Sequence, residues 1–307
     1  MKNVKAFILI LFFPLVVFSQ SQPNVVEQIQ PKEILTELKV KSRVGYEYKY
    51  SDSTFYDHLA ELKADTQSLA TFSKVGLLTR KHNYWAYSDE GILKKKYDYD
   101  VNNRLNSSRE LIGDSLVREE QFIYSENGTL LDWTIVQGKS KYNQAFYYNK
   151  KGEIALIKVK DKKKKLVRRD SILYVYDKKG RVLKEWSFNI KNKLADSLIY
   201  TYGTDTLSKK ALIIDGEIAF IYYKIKFGTF LFDRVEQYTE GHFMGVYSKM
   251  YDKKGNLLKE RNIHHYTNLN YTKNYLYNKE GLLVEKQIFK DTYKPTHIVL
   301  YDYQFYD

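Results

Sequence analysis

The feature that most constrains this chain is a motif that occurs six times: a glycine follows a tyrosine by four residues and precedes an aliphatic residue by two. The residue after each tyrosine is Asp, Asn or Ser, and a seventh copy has asparagine in place of the glycine. Such self-similarity marks a repeat array. The closing positions of the seven copies are Gly91, Asn103, Gly128, Gly152, Gly180, Gly255 and Gly281.

Each position of the motif has a physical reason to form a β-hairpin. An aromatic residue lies two positions before the tyrosine in six of the seven copies, which puts both rings on one face of a strand. Asp, Asn or Ser favours the first position of a type I turn. Glycine then supplies the positive φ that closes the turn, and asparagine is the best substitute. The seven closing residues are therefore predicted as structural turn positions.

The spacing of the motif sets the size of the repeat. Glycines 128, 152 and 180 are 24 and 28 residues apart, which leaves room for two strands and two turns. We therefore predict a mainly β protein whose hairpin repeats span 80–307 and are degenerate at about 203–250. The expected fold is an extended antiparallel meander of β-hairpins. Its sheet is expected to be open or superhelical, and a single-layer sheet is one form that it could take.

Two copies carry a resemblance to a known family. "YDKKGRVLKE" (176–185) and "YDKKGNLLKE" (251–260) resemble YD repeats of the Rhs type, whose core is Tyr-Asp-x-x-Gly-Arg-Leu. The resemblance implies a β-hairpin architecture. The repeats here are longer and looser than those of the family, and they are too few for its large closed shell. The resemblance therefore supports the hairpin architecture and says little about function.

The N-terminus predicts export. Residues 1–19 have the features of a secretory signal peptide, with Lys2 and Lys5 before a 13-residue apolar stretch and cleavage before Gln20. The apolar stretch is too short for a comfortable membrane span, so no integral membrane segment is expected after cleavage. The absence of cysteine excludes disulfides and a lipidated cysteine. We expect a bacterial protein of the periplasm or the extracellular space.

Residues 20–79 differ from the array and are predicted as an N-terminal helical or linker segment. Pro31 can open a short helix that runs through Lys39. Helical spacing then continues through Phe55, Leu59, Leu62, Leu69 and Phe72. Terminal units of repeat arrays need capping. This segment is therefore expected to form a small helical cap over the first edge of the sheet.

Charge and tyrosine content point to a binding surface or to a structural role. The formal charge is +13 for the chain and +11 (48 minus 37) after the signal peptide is removed. This charge suits a polyanionic glycan or an anionic surface, or it keeps a repetitive β-protein soluble and its edges unpaired. The 29 tyrosines either form an exposed ribbon that stacks on sugars or stabilise the sheet through cross-strand pairs.

Motifs for catalysis, metals and cofactors are absent from the sequence. The six histidines lack metal spacing, and there is no nucleophile elbow, phosphate loop or dinucleotide fingerprint. No catalytic, cofactor or metal site is therefore predicted, and nucleic acid is not an expected ligand of an exported protein. The alternative is a secreted hydrolase within 203–250, built from Asp205, Asp215, Glu217, Asp233, Glu236 and His242.

A second short pattern joins Asp to Ser or Thr and then to an aliphatic residue. It resembles an O-glycosylation sequon of exported bacterial proteins. The same residue types also begin strands after turns. The candidate acceptors are Ser115, Ser171, Ser197 and Thr206.

Together these observations predict an exported, non-catalytic β-repeat scaffold that presents a basic, tyrosine-rich surface. The expected partner is an anionic glycan, a cell-envelope polymer, or a protein recruited at the sheet edge. A transmembrane barrel requires an apolar outer band. Charges at mid-strand positions would interrupt that band: Lys95, Asp132, Lys184, Lys259 and Glu285.

Overall fold

The protein's structure, a computed structural model, describes residues 31–49, 65–84, 92–203, 207–266, 270–290 and 294–307. The predicted signal peptide lies outside these residues. One short helix, α1 (Lys32–Glu37), precedes twenty strands. In chain order they are β1 Val40–Lys49, β2 Asp65–Phe72, β3 Leu78–Asn83, β4 Leu93–Tyr99, β5 Leu105–Ile112, β6 Ser115–Tyr124, β7 Leu130–Gln137, β8 Ser140–Tyr148, β9 Ile154–Lys160, β10 Leu166–Tyr176, β11 Val182–Phe188, β12 Leu194–Tyr202, β13 Leu207–Ile214, β14 Glu217–Phe227, β15 Phe230–Thr239, β16 His242–Tyr251, β17 Leu257–His264, β18 Tyr271–Tyr277, β19 Leu283–Phe289 and β20 His297–Phe305.

The strands close into an antiparallel barrel. Every strand pairs with the next one along the chain. The last strand returns to the first, since β20 pairs with β1 from Val40–Phe305 to Lys49–His297. The prediction of an open or superhelical meander is therefore wrong.

A repeated irregularity gives the physical reason for closure. In hairpin after hairpin the register shifts by one residue at the motif aromatic, as at Tyr99, Tyr124, Tyr148, Tyr176 and Tyr277. A β-bulge bends its strand and increases the local twist. Register shifts also occur at the opposite ends of several hairpins, as at Leu111 and Phe188. Their bend and twist add up over the sheet, which allows β20 to meet β1.

The predicted helical cap is also wrong. Leu69 and Phe72 lie in β2, and β1 to β3 are full members of the barrel. Phe55, Leu59 and Leu62 lie outside the described residues. Among the described residues of the segment, Lys32–Glu37 is helical, with Pro31 as the N-cap of α1. The spacing of Leu69 and Phe72 suits one face of a helix, but closure requires this segment as a strand between β1 and β3.

The two faces of the wall differ in burial. Paired residues on one face are buried, for example Phe122 and Trp133, whose stacked ring centroids lie 5.7 Å apart. This face points toward the barrel axis, where side chains converge. Most of the buried apolar residues of the described chain form five clusters, each from neighbouring elements. The interior of a twenty-stranded barrel is too wide for its own side chains to fill. Buried side chains therefore pack against neighbours on adjacent strands rather than across the barrel.

The outer face mixes charged and apolar side chains. Asp132 is the cross-strand partner of Ile123, and Lys184 is the cross-strand partner of Val175 and Ile199. These pairs alternate along the strands with the inward-facing pairs, so they face outward. Lys259 and Glu285 take equivalent outer positions, whereas Lys95 lies on the inner face and forms an ion pair with Glu110. The outer wall therefore carries charge at mid-strand height.

No helix among the described residues is long and apolar enough to cross a membrane.

Candidate functional site

The motif turns share one hydrogen-bond pattern. In the turn that Asp177 opens, its N–H donates to the carbonyl of Arg181 at 2.9 Å, and the N–H of Gly180 donates to the carbonyl of Asp177 at 3.0 Å. The Asp177 carboxylate accepts the N–H groups of Lys179 and Arg181. Each such turn is therefore held rigidly, with its two central residues at the tip.

The closing residues of these turns have positive φ. The value is 60° for Asn103 and between 77° and 87° for the glycines at 128, 152, 180, 255 and 281. Gly91 lies outside the described residues. Turns with the same pair of backbone hydrogen bonds also occur at Asp161–Lys164 and Asn189–Asn192, between β9 and β10 and between β11 and β12, at the opposite end of the barrel. At the motif end the sequence pattern missed one further turn, Ser73–Gly76, because Phe72 replaces the tyrosine. Its signal was available as an aromatic residue followed by Ser-x-x-Gly-x-Leu.

The motif tyrosines link successive hairpins from the inside of the barrel. The hydroxyl of Tyr277 donates to the carbonyl of Leu257, the aliphatic residue of the preceding motif copy, at 2.9 Å. Burial raises the pKa of Tyr99 to about 12, so its hydroxyl remains a donor to Leu78. The same bond is made by Tyr124, Tyr148, Tyr202 and Tyr303. These rings stabilise the inner wall rather than forming an exterior ribbon.

Buried acidic groups on the inner wall are distributed over neighbouring strands. Asp170 forms an ion pair with Arg168 at 2.6 Å, and Glu185 accepts the hydroxyl of Tyr200 at 3.0 Å. Burial raises the pKa of Asp196 to about 6, and the charge of Asp170 adds to the effect. Within the described chain no group of three His, Cys, Asp or Glu residues could hold a metal ion.

The wall on the other side of the barrel carries partly buried cations beside a buried carboxylate, Glu260. Glu260 accepts bonds from the hydroxyls of Tyr271 and Tyr275 and from Nζ of Lys273. Burial lowers the pKa of Lys286 to about 8, and the nearby charge of Lys273 lowers it further. These groups are engaged with their neighbours in the wall, which suits a structural role.

The polar residues of the degenerate stretch do not converge. Asp233 lies on the inner face, opposite Lys224 and Lys249 in the register of the two neighbouring strands. Glu236 lies on the outer face, where it accepts bonds from Tyr223, Tyr238 and Arg234. The others sit at strand ends or turns (Asp215, Glu217 and His242), and Asp205 lies outside the described residues. The geometry therefore does not assemble the hydrolase site considered above.

The Asp-Ser-aliphatic pattern has a structural explanation. Asp170 and Asp196 are buried on the inner face, so Ser171 and Ser197 lie on the outer face by alternation. Ser115 is exposed at the start of β6. Thr206 lies outside the described residues. Modification of these hydroxyls stays a prediction.

One end of the barrel carries a concentration of cations. Seven described motif turns lie there, between β2 and β3, β4 and β5, β6 and β7, β8 and β9, β10 and β11, β16 and β17, and β18 and β19. Their fourteen central positions hold eight lysines and two glutamates, a formal charge of +6 (eight minus two). We call these lysines the basic rim: Lys74, Lys150, Lys151, Lys178, Lys179, Lys253, Lys254 and Lys279. All eight are exposed.

Comparison with known proteins gives structural likeness only. No family model matches the chain, and no curated protein matches it. Among solved structures, it is similar to a porin-like protein from Bacteroides uniformis ATCC 8492, with 10% identity and a TM-score of 0.31, covering 87% of this chain and 97% of that one. It is also similar to TcdB2-TccC3-Cdc42, with 12% identity and a TM-score of 0.25, covering 82% of this chain. The chain spans about one fifth (20%) of the length of that structure.

Proposed function

We propose that this protein is an exported, non-catalytic barrel that binds an anionic polymer of the bacterial cell envelope through its basic rim. The observation that carries the proposal is the +6 charge at the central positions of the seven turns at one end of the barrel. The signal-peptide features of residues 1–19 support export to the periplasm or beyond. The YD-like motif supports a distant relation to the hairpin-repeat proteins that it resembles.

The rim suits a long polyanion because its lysines are exposed on turns whose backbone is fixed by hydrogen bonds. Paired hydrogen bonds hold each turn, so the Cα positions of Lys178 and Lys179 are set by the fold. A repeating anion can neutralise several lysines at once, and such attraction weakens as salt screens it. Closure gives every described strand a neighbouring strand on both sides, so the proposal omits a protein recruited by strand addition.

The test is capture by cell-envelope polysaccharide. The mature protein is compared with a rim variant in which Lys178, Lys179, Lys253 and Lys254 become Gln. The control variant removes four lysines at the opposite end: Lys162, Lys163, Lys165 and Lys191. We expect the rim variant to bind at least about tenfold more weakly and the control to keep its affinity, with capture lost at high salt.

Two results would overturn the proposal. Equal losses in the rim and control variants would mean that net charge, rather than the rim, attracts the polymer. Turnover of the polymer that is abolished by Glu236→Gln would establish a hydrolase in its place.

A further inference from the structure

The hairpin of β14 and β15 carries an exposed apolar tip. Ile225 pairs with Phe232 and Phe227 pairs with Phe230, so all four side chains share the outer face. The exposed fractions are 45% for Ile225, 74% for Phe227 and 38% for Phe230. We call Ile225, Phe227 and Phe230 the apolar tip. A cluster with two exposed phenylalanines is costly in water unless another surface covers it.

This tip projects from the same end as the basic rim. The turn at Gly228 joins an even-numbered strand to the next odd-numbered one, as the motif turns do. Pairing of β13 with β14 ends at Lys209 and Tyr223, while β14 continues through Phe227. Those four residues extend about 14 Å beyond the last pair. The tip therefore extends past β13 on one side, whereas on the other side β16 runs beside β15 as far as the Leu231–Tyr251 pair.

Lysines lie beside the tip on β14 and on the neighbouring turn, together with the carboxylate of Asp233, the cross-strand partner of Lys224. Lys224 and Lys226 alternate with the apolar residues of β14 and are exposed. Lys253 and Lys254 are exposed in the turn that follows β16, the strand that pairs with β15. Aromatic and aliphatic side chains bordered by lysine are the composition of segments that enter the interface of anionic bilayers.

We propose that the apolar tip inserts into the interfacial layer of an anionic lipid bilayer while the basic rim lies against the headgroups. The inference rests on the proposed function in that the same rim attracts anions. A bilayer is favoured over a protein partner because three exposed apolar side chains offer far less area than a stable protein interface needs. It is favoured over a soluble polymer because an apolar tip gains nothing from a hydrated polyanion.

Binding to vesicles tests the proposal. The mature protein is sedimented with vesicles of phosphatidylcholine alone and with vesicles of equal parts phosphatidylcholine and phosphatidylglycerol. We expect Phe227→Ser with Phe230→Ser to reduce partitioning to the anionic vesicles about tenfold and to leave capture of soluble envelope polysaccharide unchanged. The matched control is Leu173→Ser with Ile199→Ser, two exposed apolar residues of the outer wall, which should partition like the unsubstituted protein.

A fluorescent reporter makes the test independent of affinity. With Phe227→Trp, anionic vesicles should shift the emission to the blue and brominated lipids should quench it, relative to the unsubstituted chain. With Leu173→Trp neither change is expected.

The outcomes separate the two proposals. If the phenylalanine variant binds vesicles normally while the rim variant does not, insertion of the tip is overturned and anion binding by the rim stands. If the phenylalanine variant loses polysaccharide as well, the tip belongs to the polymer site and insertion is again overturned. If the phenylalanine variant binds vesicles normally but no longer self-associates in their absence, the tip is a contact between copies of the chain. Insertion into the bilayer would then be overturned as well.

Discussion

Gly76→Ala is expected to lower the free energy of unfolding by about 3–5 kcal/mol, the sum of backbone strain and overpacking. Gly76 has a φ of 70°, which L side chains rarely adopt. A Cβ atom there would lie 2.3 Å from the carbonyl oxygen of Lys32 and 2.6 Å from Oγ1 of Thr36, both on or beside α1. The turn and α1 would have to separate, which disturbs the cluster around Leu35, itself only 1% exposed.

Gly180→Ala is the matched control for this effect. Gly180 closes an equivalent turn with a φ of 77°, but an added Cβ would meet nothing within 4 Å. Only strain remains, so we expect a loss of about 1–2 kcal/mol for alanine, up to about 3 kcal/mol for valine, and less for asparagine. Urea unfolding of the variants measures the difference. Equal losses for Gly76→Ala and Gly180→Ala would contradict the packing of α1 against this turn.

Asp196→Asn is expected to raise the free energy of unfolding at pH 8 by about 1–3 kcal/mol and to change it little at pH 4. Burial raises the pKa of Asp196 to about 6 in the folded protein, above its value in the unfolded chain. Between pH 4 and 6 the folded state therefore holds a proton that the unfolded state has lost. Ionised Asp196 destabilises the fold progressively as pH rises through this window, and asparagine removes the penalty.

Asp114→Asn provides the comparison, because Asp114 occupies the same Asp-Ser-Leu pattern but its side chain is fully exposed, where it forms an ion pair with Lys94 at 3.1 Å. Its substitution removes no buried charge, so it should not stabilise the protein at pH 8. Urea unfolding at several pH values from 4 to 8 makes the comparison. If Asp196→Asn destabilised the protein at pH 8, the carboxylate would be making a favourable interaction in the folded state, contrary to its buried position.

The local structure of the repeat could be predicted from the sequence, because the residues that specify a turn lie within a few positions of one another. Asp177 and Gly180 specify the turn through their side-chain oxygen and positive φ, independently of the rest of the fold. The β-hairpin repeats and their strand–turn–strand units follow from this. The basic rim could also have been found, since a meander places every motif turn at the same end and Lys253 and Lys254 occupy tip positions.

Closure of the barrel could not be predicted from the sequence, because it depends on the bends of all the hairpins added together. The bulge at Tyr277 adds a small bend to one hairpin, and only the accumulated bend of twenty strands decides whether β20 meets β1. The helical spacing of Leu69 and Phe72 was a local signal that this global requirement overrode. The buried position of Asp196 depends on which face turns inward, and that is known only once the barrel has closed.

The pairing of the first strand, β1, with the last, β20, forms the seam of the barrel and is the most direct test of closure. Because the chain has no cysteine, two introduced cysteines have no other thiol in the chain to react with. Val44 and Asp302 are direct partners across this seam, and side chains of such partners are close enough for a disulfide. We predict that the V44C/D302C variant forms an intramolecular disulfide on mild oxidation and migrates faster on a non-reducing gel. The control V44C/I199C, with its cysteines on β1 and β12, should form none. Failure of V44C/D302C to form the bond while folded, or a bond only between two molecules, would contradict the closed barrel.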